Sequence, residues 1–446
     1  PMSEKIKYVR EEPLVDKQNR RQREILETFE AGNYTFDSPM VVTNPYFINP
    51  LAALVLFTTE KETAITVSVI GKDAATTISH TYPKGTRHIL PVLGLYQDCE
   101  NTVELGIYQG RSRQFTIKTD KLHNGAECLK MDTTPDYLQD DLMFVTPVIS
   151  GLATAYDCNG DIRWHITIPT MFNLARMKNG NLTTGSHRLM QAPYFVSGLY
   201  EMDMLGKIHT EYRVPGGYHH DHIEMSDGNL VILSDDMLSD TVEDICHLVG
   251  RKTGEVVKSW DFKTEIRPEE APPSINYSLH DWFHCNAVGY NENTDTPTLS
   301  GRHCDAVINI DYATGKLNWI IGDPEGWPAK YRDYFFTPAG DGEFDWQYEQ
   351  HAVVLTPDGD IMCFDNGHGR SKIPEKRRKN RDNFSRGVRY KINTGERTIR
   401  HVRQARKERG PDVIEHELCA GPHRQQWHLR SPHGARGSHA GRPGPS

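Results

Sequence analysis

The chain has 446 residues, with 51 Lys and Arg against 60 Asp and Glu and a formal net charge of −9. Both signs are interspersed, which excludes the basic groove of a nucleic-acid binder. The best apolar run, Leu51 to Phe57, is seven residues, against the roughly 20 of a membrane-crossing helix, so no membrane span is expected.

Eight cysteines without a CxxC pair do not form a disulfide or zinc framework. The charged N-terminus PMSEKIKYVREEP lacks the apolar core of a secretory leader. A cytoplasmic address is therefore expected, or a periplasmic one if a leader has been removed. At this length one ordinary core does not suffice, so two domains or a repeat architecture are expected.

Residues 1 to about 140 read as a helix followed by β-structure. From Asp16 to Glu30 the chain is rich in helix formers. Seven β-rich runs follow: MVVTNPYF, AALVLFTT, TAITVSVIG, ISHTYP, HILPVLG, TVELGIY and RQFTIKT. Short strands at this spacing predict a small β-sandwich of immunoglobulin-like type.

From 141 to about 410 a repeat is visible. One hairpin signature recurs as AYDCNGDIRWHI, LYEMDMLGKIHTEY, HLVGRKTGEVVKSW, INIDYATGKLNWII and RYKINTGERTIRHV, with turn glycines Gly160, Gly206, Gly254, Gly315 and Gly395. Between these runs a second hairpin. Two hairpins make the four strands of a propeller blade. The first glycine spacings, 46 and 48 residues, fit a blade of roughly 40–50; the later ones, 61 and 80, need inserted loops such as GDPEGWPAKYRDYFFTPAGDGEFDW. The fold predicted is all-β, a six-bladed β-propeller with five blades visible. Trp164, Trp260 and Trp319 recur at strand ends as inter-blade packing.

The sixth blade is expected to be disrupted. Residues 411–446 are dominated by Arg, His, Gly and Pro, the composition of a disordered basic tail. The stretch Val413–Arg430, VIEHELCAGPHRQQWHLR, can be encoded so that the frame shifted by one nucleotide reads SSSTNYARVHIDNNGTYV. That peptide has the strand–turn–strand pattern of the missing hairpin, which predicts a frameshift.

The second hairpin carries the chemistry. In YHHDHIEMSDGNL, His220 lies eight residues before the turn glycine Gly228; in EQHAVVLTPDGDI, His351 lies eight before Gly359. WFHCNAVGYNENTDTPTL begins with His284 and has a longer turn, while FNLARMKNGNL carries Phe172 eight residues before Gly180. A constant scaffold with His at one position in three of four copies predicts side chains converging on one centre. Asn286 follows His284 by two residues and so shares its strand face. Arg302 lies at the far end of the paired strand, and CFDNGHGRS puts Asp365, Asn366 and Arg370 at the matching place in the next copy. Arginine beside neutral imidazoles suits a tetrahedral oxyanion.

No metal is expected. His219 and His220 would point to opposite faces of a strand, and no carboxylate-rich surround is evident; His219 and His222 read as packing or supporting residues.

Taken in order, VTNPYFINPLAALVLFTT, HILPVLGLY, YHHDHIEMSDGNLVILSDD, DWFHCNAVGY, LSGRHCDAVINID, FDWQYEQHAVV, FDNGHGRS and the KERG at Lys407–Gly410 resemble the bacterial arylsulfate sulfotransferases over residues 40 to 410. That family transfers sulfuryl groups from aryl sulfates instead of a nucleotide sulfate. The resemblance implies ping-pong transfer to a phenol through a sulfohistidine, without a cofactor. His351 is then the nucleophile, His284, Asn286 and Arg302 hold the sulfuryl oxygens, and His220 is the remaining active-site histidine. His220 or His284 would carry the proton between the phenols. The partners implied are an aryl sulfate donor and a phenolic acceptor, with neither nucleic acid nor membrane, and a homo-oligomer is open. The cysteine pair found in some periplasmic members before the nucleophile is missing. No P-loop is present to bind a nucleotide. Two alternatives stand beside this reading: a non-catalytic propeller that binds an anionic or aromatic ligand, inactive through loss of blade six, and a quinone-dependent dehydrogenase, whose calcium-site carboxylates are not apparent.

Overall fold

The computed structural model describes residues 12–107, 110–123, 138, 141–146, 152–191, 195–340, 344–408 and 428–429. Helix α1 (Leu14–Ala31) buries Ile25 and Phe29 against the first sheet. That sheet contains β1 (Met40–Thr43), β2 (Ala52–Val69), β3 (Ile78–Leu93), β4 (Glu100–Ile107) and β5 (Ser112–Lys118).

The seven expected runs fold as five strands. AALVLFTT and TAITVSVIG merge into β2, and ISHTYP and HILPVLG into β3. The polar stretches between them are absorbed as register shifts between Thr58 and Ile65, because both halves keep a buried face and a bulge costs less than ending the ladder. The first half of β2 pairs with β1 and the second with β4, with β3 along its other edge. Alternate residues face opposite ways: Ala52, Leu54 and Leu56 meet α1, while Ala53, Val55 and Phe57 meet Val103, Leu105 and Ile117.

Five further sheets follow. Sheet I has β6 (Leu142–Val145), β7 (Thr154–Tyr156) and β8 (Ile162–His165). Sheet II has β9 (Met171–Arg176), β10 (Leu182–Gly185), β11 (Leu189–Gln191), β12 (Phe195–Met202) and β13 (Ile208–Tyr218). Sheet III has β14 (His222–Glu224), β15 (Leu230–Ser234), β16 (Ile245–Val249) and β17 (Val256–Asp261). Sheet IV has β18 (Cys285–Asn291), β19 (Thr296–Gly301), β20 (Ala306–Ile310) and β21 (Leu317–Ile321). Sheet V has β22 (Thr337–Pro338), β23 (His351–Leu355), β24 (Ile361–Asp365), β25 (Phe384–Asn393) and β26 (Thr398–Glu408). Strand β27 (His428–Leu429) pairs with β6. Apart from β27, the expected tail and sixth hairpin lie outside the described residues.

Both hairpins of the repeat form as expected in sheets II to V, closed by turns in which Gly228 and Gly359 adopt φ of 86° and 80°. Each sheet is apolar on both faces and packs against its neighbours. In sheet IV, Val288, Leu299 and Ile308 face sheet III, while Ala287, Val307 and Ile321 face sheet V. Trp164, Trp260 and Trp319 are buried in three of these inter-sheet cores. The leading strands β9, β14, β18 and β23 lie beside one another in that order.

Buried polar contacts fasten the first sheet to the repeats. Gln18 on α1 donates to the carbonyls of Tyr46 and Gly206 and accepts from Ile208 N. Arg163 of β8 is fully buried, donates to the carbonyls of Gly94 and Thr76 at 2.8 and 2.7 Å, and pairs with Asp157 at 2.9 Å. Removing one member leaves an uncompensated buried charge. Arg163→Ala should therefore cost about 3–5 kcal/mol, read as a lower midpoint in urea unfolding; a loss below about 1 kcal/mol would show that Arg163 does not hold the two parts together.

Candidate active site

The convergence of the repeated histidines comes from a backbone kink. Phe172, His220 and His284, register-equivalent in the sequence, all have left-handed φ, at 61°, 51° and 50°. Non-glycine residues rarely adopt this conformation, and it persists only where the surroundings enforce it. It turns the three side chains out of strand alternation and brings their rings together. Phe172 lies 4.8 Å from His220, His220 4.9 Å from His284, and His284 4.4 Å from His303, between ring centroids. In the copy of His351 the kink moves: Glu349 and Ala352 have φ of 48° and 51°, and His351 opens β23 across a register shift.

This kink corrects the expectation for His219. The chain leaves β13 after Tyr218, so His219 and His220 are not on consecutive strand positions. Their Nδ1 atoms lie 3.0 Å apart, and His219 Nε2 lies 2.9 Å from the Ser234 carbonyl. His219 thus shares the site. His222 is held by Thr183 and Tyr218, a packing role.

The second correction concerns carboxylates, which do surround the imidazoles. Buried Glu243 lies 2.9 Å from His284 Nδ1 and 3.7 Å from His220 Nδ1. Asp281 is also 2.9 Å from His284 Nδ1, and its carbonyl meets His303 Nδ1 at 2.6 Å. Glu349, fully buried, contacts Arg302 at 3.3 Å and His368 at 2.6 Å, and accepts from Ser274 Oγ and the Asn276 amide. These acids sit outside the repeated positions. Two of them precede a site histidine closely in sequence, Asp281 by three residues and Glu349 by two, which is the one signal that could have found them.

Charge is partitioned unequally among the imidazoles. Burial opposes the charged form of His284, but Glu243 and Asp281 outweigh it and raise its pKa to about 10. Burial lowers His220 well below its ordinary value despite Glu243, helped by the nearby His284 cation. His351 is pushed down to about 3 by burial, then by the charges of Arg302 and His284. Near neutral pH His284 is a cation, while His220 and His351 are neutral.

The remaining predicted residues join this group. Arg302 N donates to the His284 carbonyl at 3.2 Å. Asn286 donates through Nδ2 to the Gln350 carbonyl at 2.8 Å, next to His351. The Glu349 carbonyl, 3.2 Å from His351 Nδ1, can only accept, so a hydrogen bond there puts the proton on Nδ1 and the lone pair on Nε2. Asn366 Nδ2 lies 3.1 Å from the same nitrogen; turning that amide over brings Oδ1 to the place where it accepts the Nδ1 proton. Asp365 and Arg370 form instead a buried ion pair at 2.8 Å, with the guanidinium 3.6 Å from the Phe384 ring centre. His219, His220 and Glu243, and separately Asp281, His284 and His303, hold ligand-type atoms within 4.8 Å of one another, close enough for a cation. Hydrogen bonds and ion pairs account for the short contacts in both groups.

The family model described as Arylsulfotransferase (ASST) matches residues 127–413, and that described as Arylsulfotransferase Ig-like domain matches residues 40–122. The arylsulfate sulfotransferase of Lelliottia amnigena is 22% identical, across 83% of this chain and 80% of its own. That of Escherichia coli O6:H1 is 23% identical, across 57% of this chain and 53% of its own. A protein of unknown function from Bacteroides caccae has a solved structure covering 77% of this chain and 94% of its own, at 9% identity and a TM-score of 0.36. Since the first model alone spans well over half of the sequence, the chain belongs to the arylsulfotransferase family.

Proposed function

We propose that this protein moves a sulfuryl group from a phenolic sulfate ester to a phenol by ping-pong transfer, with His351 transiently sulfated. The observation that carries this reading is the convergence of His220, His284, Arg302 and His351 on buried Glu243 and Glu349, where burial and the charges of Arg302 and His284 keep His351 neutral. Neutral imidazole is nucleophilic, and flanking cations meet the charge that spreads over the sulfuryl oxygens in the transition state. In the first half-reaction His351 Nε2 attacks sulfur and the bond from sulfur to the aryl oxygen breaks. Nδ1 of His284 is engaged by Glu243 and Asp281, so its Nε2–H is the one that faces the departing phenolate. The phenolate takes its proton from solvent. Arg302 and the second amide hydrogen of Asn286 hold the sulfuryl oxygens. In the second half-reaction the acceptor oxygen attacks sulfur, and the bonding pair returns to Nε2 of His351. Phenolates leave readily, so no nucleotide donor is needed.

We also read sheets I to V as five blades of a six-bladed β-propeller. The serial packing of β9, β14, β18 and β23 supports this, because innermost strands line a propeller channel.

Mass spectrometry after mixing with an aryl sulfate should find a sulfuryl adduct on His351 and none in His351→Ala; an adduct on another residue would refute the assignment. The pH dependence follows from the two charge states. Activity needs neutral His351 and protonated His284, so kcat/KM for the donor should fall below about pH 3 and above about pH 10. Glu243→Gln removes one of the carboxylates that raise His284, and should move the alkaline limb toward neutrality. An alkaline limb that stays in place would dismiss His284 as the working cation.

A further inference from the structure

The acceptor phenol must give up a proton as it attacks, which calls for a base. His284 already holds its proton through two carboxylates at 2.9 Å, so it cannot take another. The adjoining pair His219–His220 is built differently. A carbonyl oxygen can only accept, so the contact between His219 Nε2 and the Ser234 carbonyl at 2.9 Å requires a proton on Nε2. That carbonyl is itself fixed, because Ser234 Oγ lies 2.6 Å from the carbonyls of both Pro215 and Gly217. His219 is fully buried and neutral, so its Nδ1 carries the lone pair. Across 3.0 Å, His220 Nδ1 must then donate to it. With its one proton on Nδ1, neutral His220 has its lone pair on Nε2, on the ring edge away from His219. Phe172, 4.8 Å away and tilted by 31°, braces one face of the ring.

We infer that His219 is a positioning residue that locks His220 in the tautomer whose Nε2 lone pair takes the proton of the acceptor phenol. This rests on the ping-pong reading and concerns its second half-reaction. There the phenol O–H bond breaks toward His220 Nε2, the new O–S bond forms, and the S–N bond to His351 breaks. The imidazolium of His220 then loses its proton to solvent, balancing the proton taken up by the first phenolate. His219 touches neither substrate. Without its acceptor nitrogen, His220 is free to exchange tautomers and to present an N–H where the lone pair is needed.

The two half-reactions can be read separately. Rapid mixing with a chromogenic aryl sulfate and no acceptor gives a burst of coloured phenolate that reports sulfation of His351. Steady-state turnover with added phenol reports the second step. In His219→Leu the burst should stay within about twofold of the unaltered enzyme, while kcat with phenol falls by roughly 10²-fold, within the usual range for a general base. His219→Asn, whose Oδ1 replaces Nδ1 as acceptor, should recover most of that loss. Burst and turnover falling together would show that His219 only supports the fold, and no change in either would deny it a role; both overturn the inference. Stoichiometric metal in the purified protein, with a chelator reproducing the Leu phenotype, would overturn it by making the pair ligands. A missing burst in the unaltered enzyme would instead refute the covalent reading beneath it.

Discussion

Burying charge is costly unless the charge is paired, and this site is organised around that constraint. Glu243 and Glu349 lie within the protein with almost no solvent contact. Each must find a cation, and each finds one in the site: Glu243 in His284 and Glu349 in Arg302. The same pairing that makes burial tolerable decides which imidazoles are charged. Burial holds His351 and His220 toward the neutral form, and the His284 cation, joined by Arg302 at His351, pushes them further. Identical side chains a few ångströms apart thereby acquire opposite chemical characters.

The partition would fail if the groups drifted by an ångström, so it depends on how the sheets are held. His220 comes from the junction of sheets II and III, His284 and Arg302 from the two ends of the first hairpin of sheet IV, and His351 from the head of sheet V. No single sheet contains the site. The inter-sheet cores set its geometry, and buried polar bridges refine it. Asp221 accepts from Val288 N across sheets III and IV, Asp305 accepts from Glu349 N across sheets IV and V, and Gln350 reaches the carbonyls of Gly301 and Ala306. Such bridges leave the sheets little freedom to slide, because each shift would orphan a buried donor.

Much of this was legible in the sequence. Turn glycines mark the hairpins, counting back from them finds His220 and His351, and the matching start of the copy with the longer turn finds His284. The acids were not legible, because Glu243 and Asp281 lie on irregular segments where no period announces a direction. His219 was misjudged for a sharper reason. Strand alternation assumes extended backbone, and the left-handed φ of His220 breaks it at the residue where it mattered. The merging of runs into β2 and β3 has a similar origin, since a polar interruption reads as a turn unless the burial of both flanks is known.

The kink and the pairing are therefore one device. An extended backbone at His220 would send its ring to the face opposite His219 and away from Glu243. It would also lose the stack on Phe172, whose own φ of 61° repeats the kink one sheet earlier. A left-handed non-glycine residue costs of order 1–3 kcal/mol, and two histidines and a phenylalanine incur that cost at the same repeat position. The strain is compensated by contacts that exist only in the kinked form: ring on ring from Phe172 to His303, and carboxylate on imidazole at His284. Stability and chemistry here draw on the same few interactions, which is why substitutions among them should be separable only by measurements that follow each half-reaction.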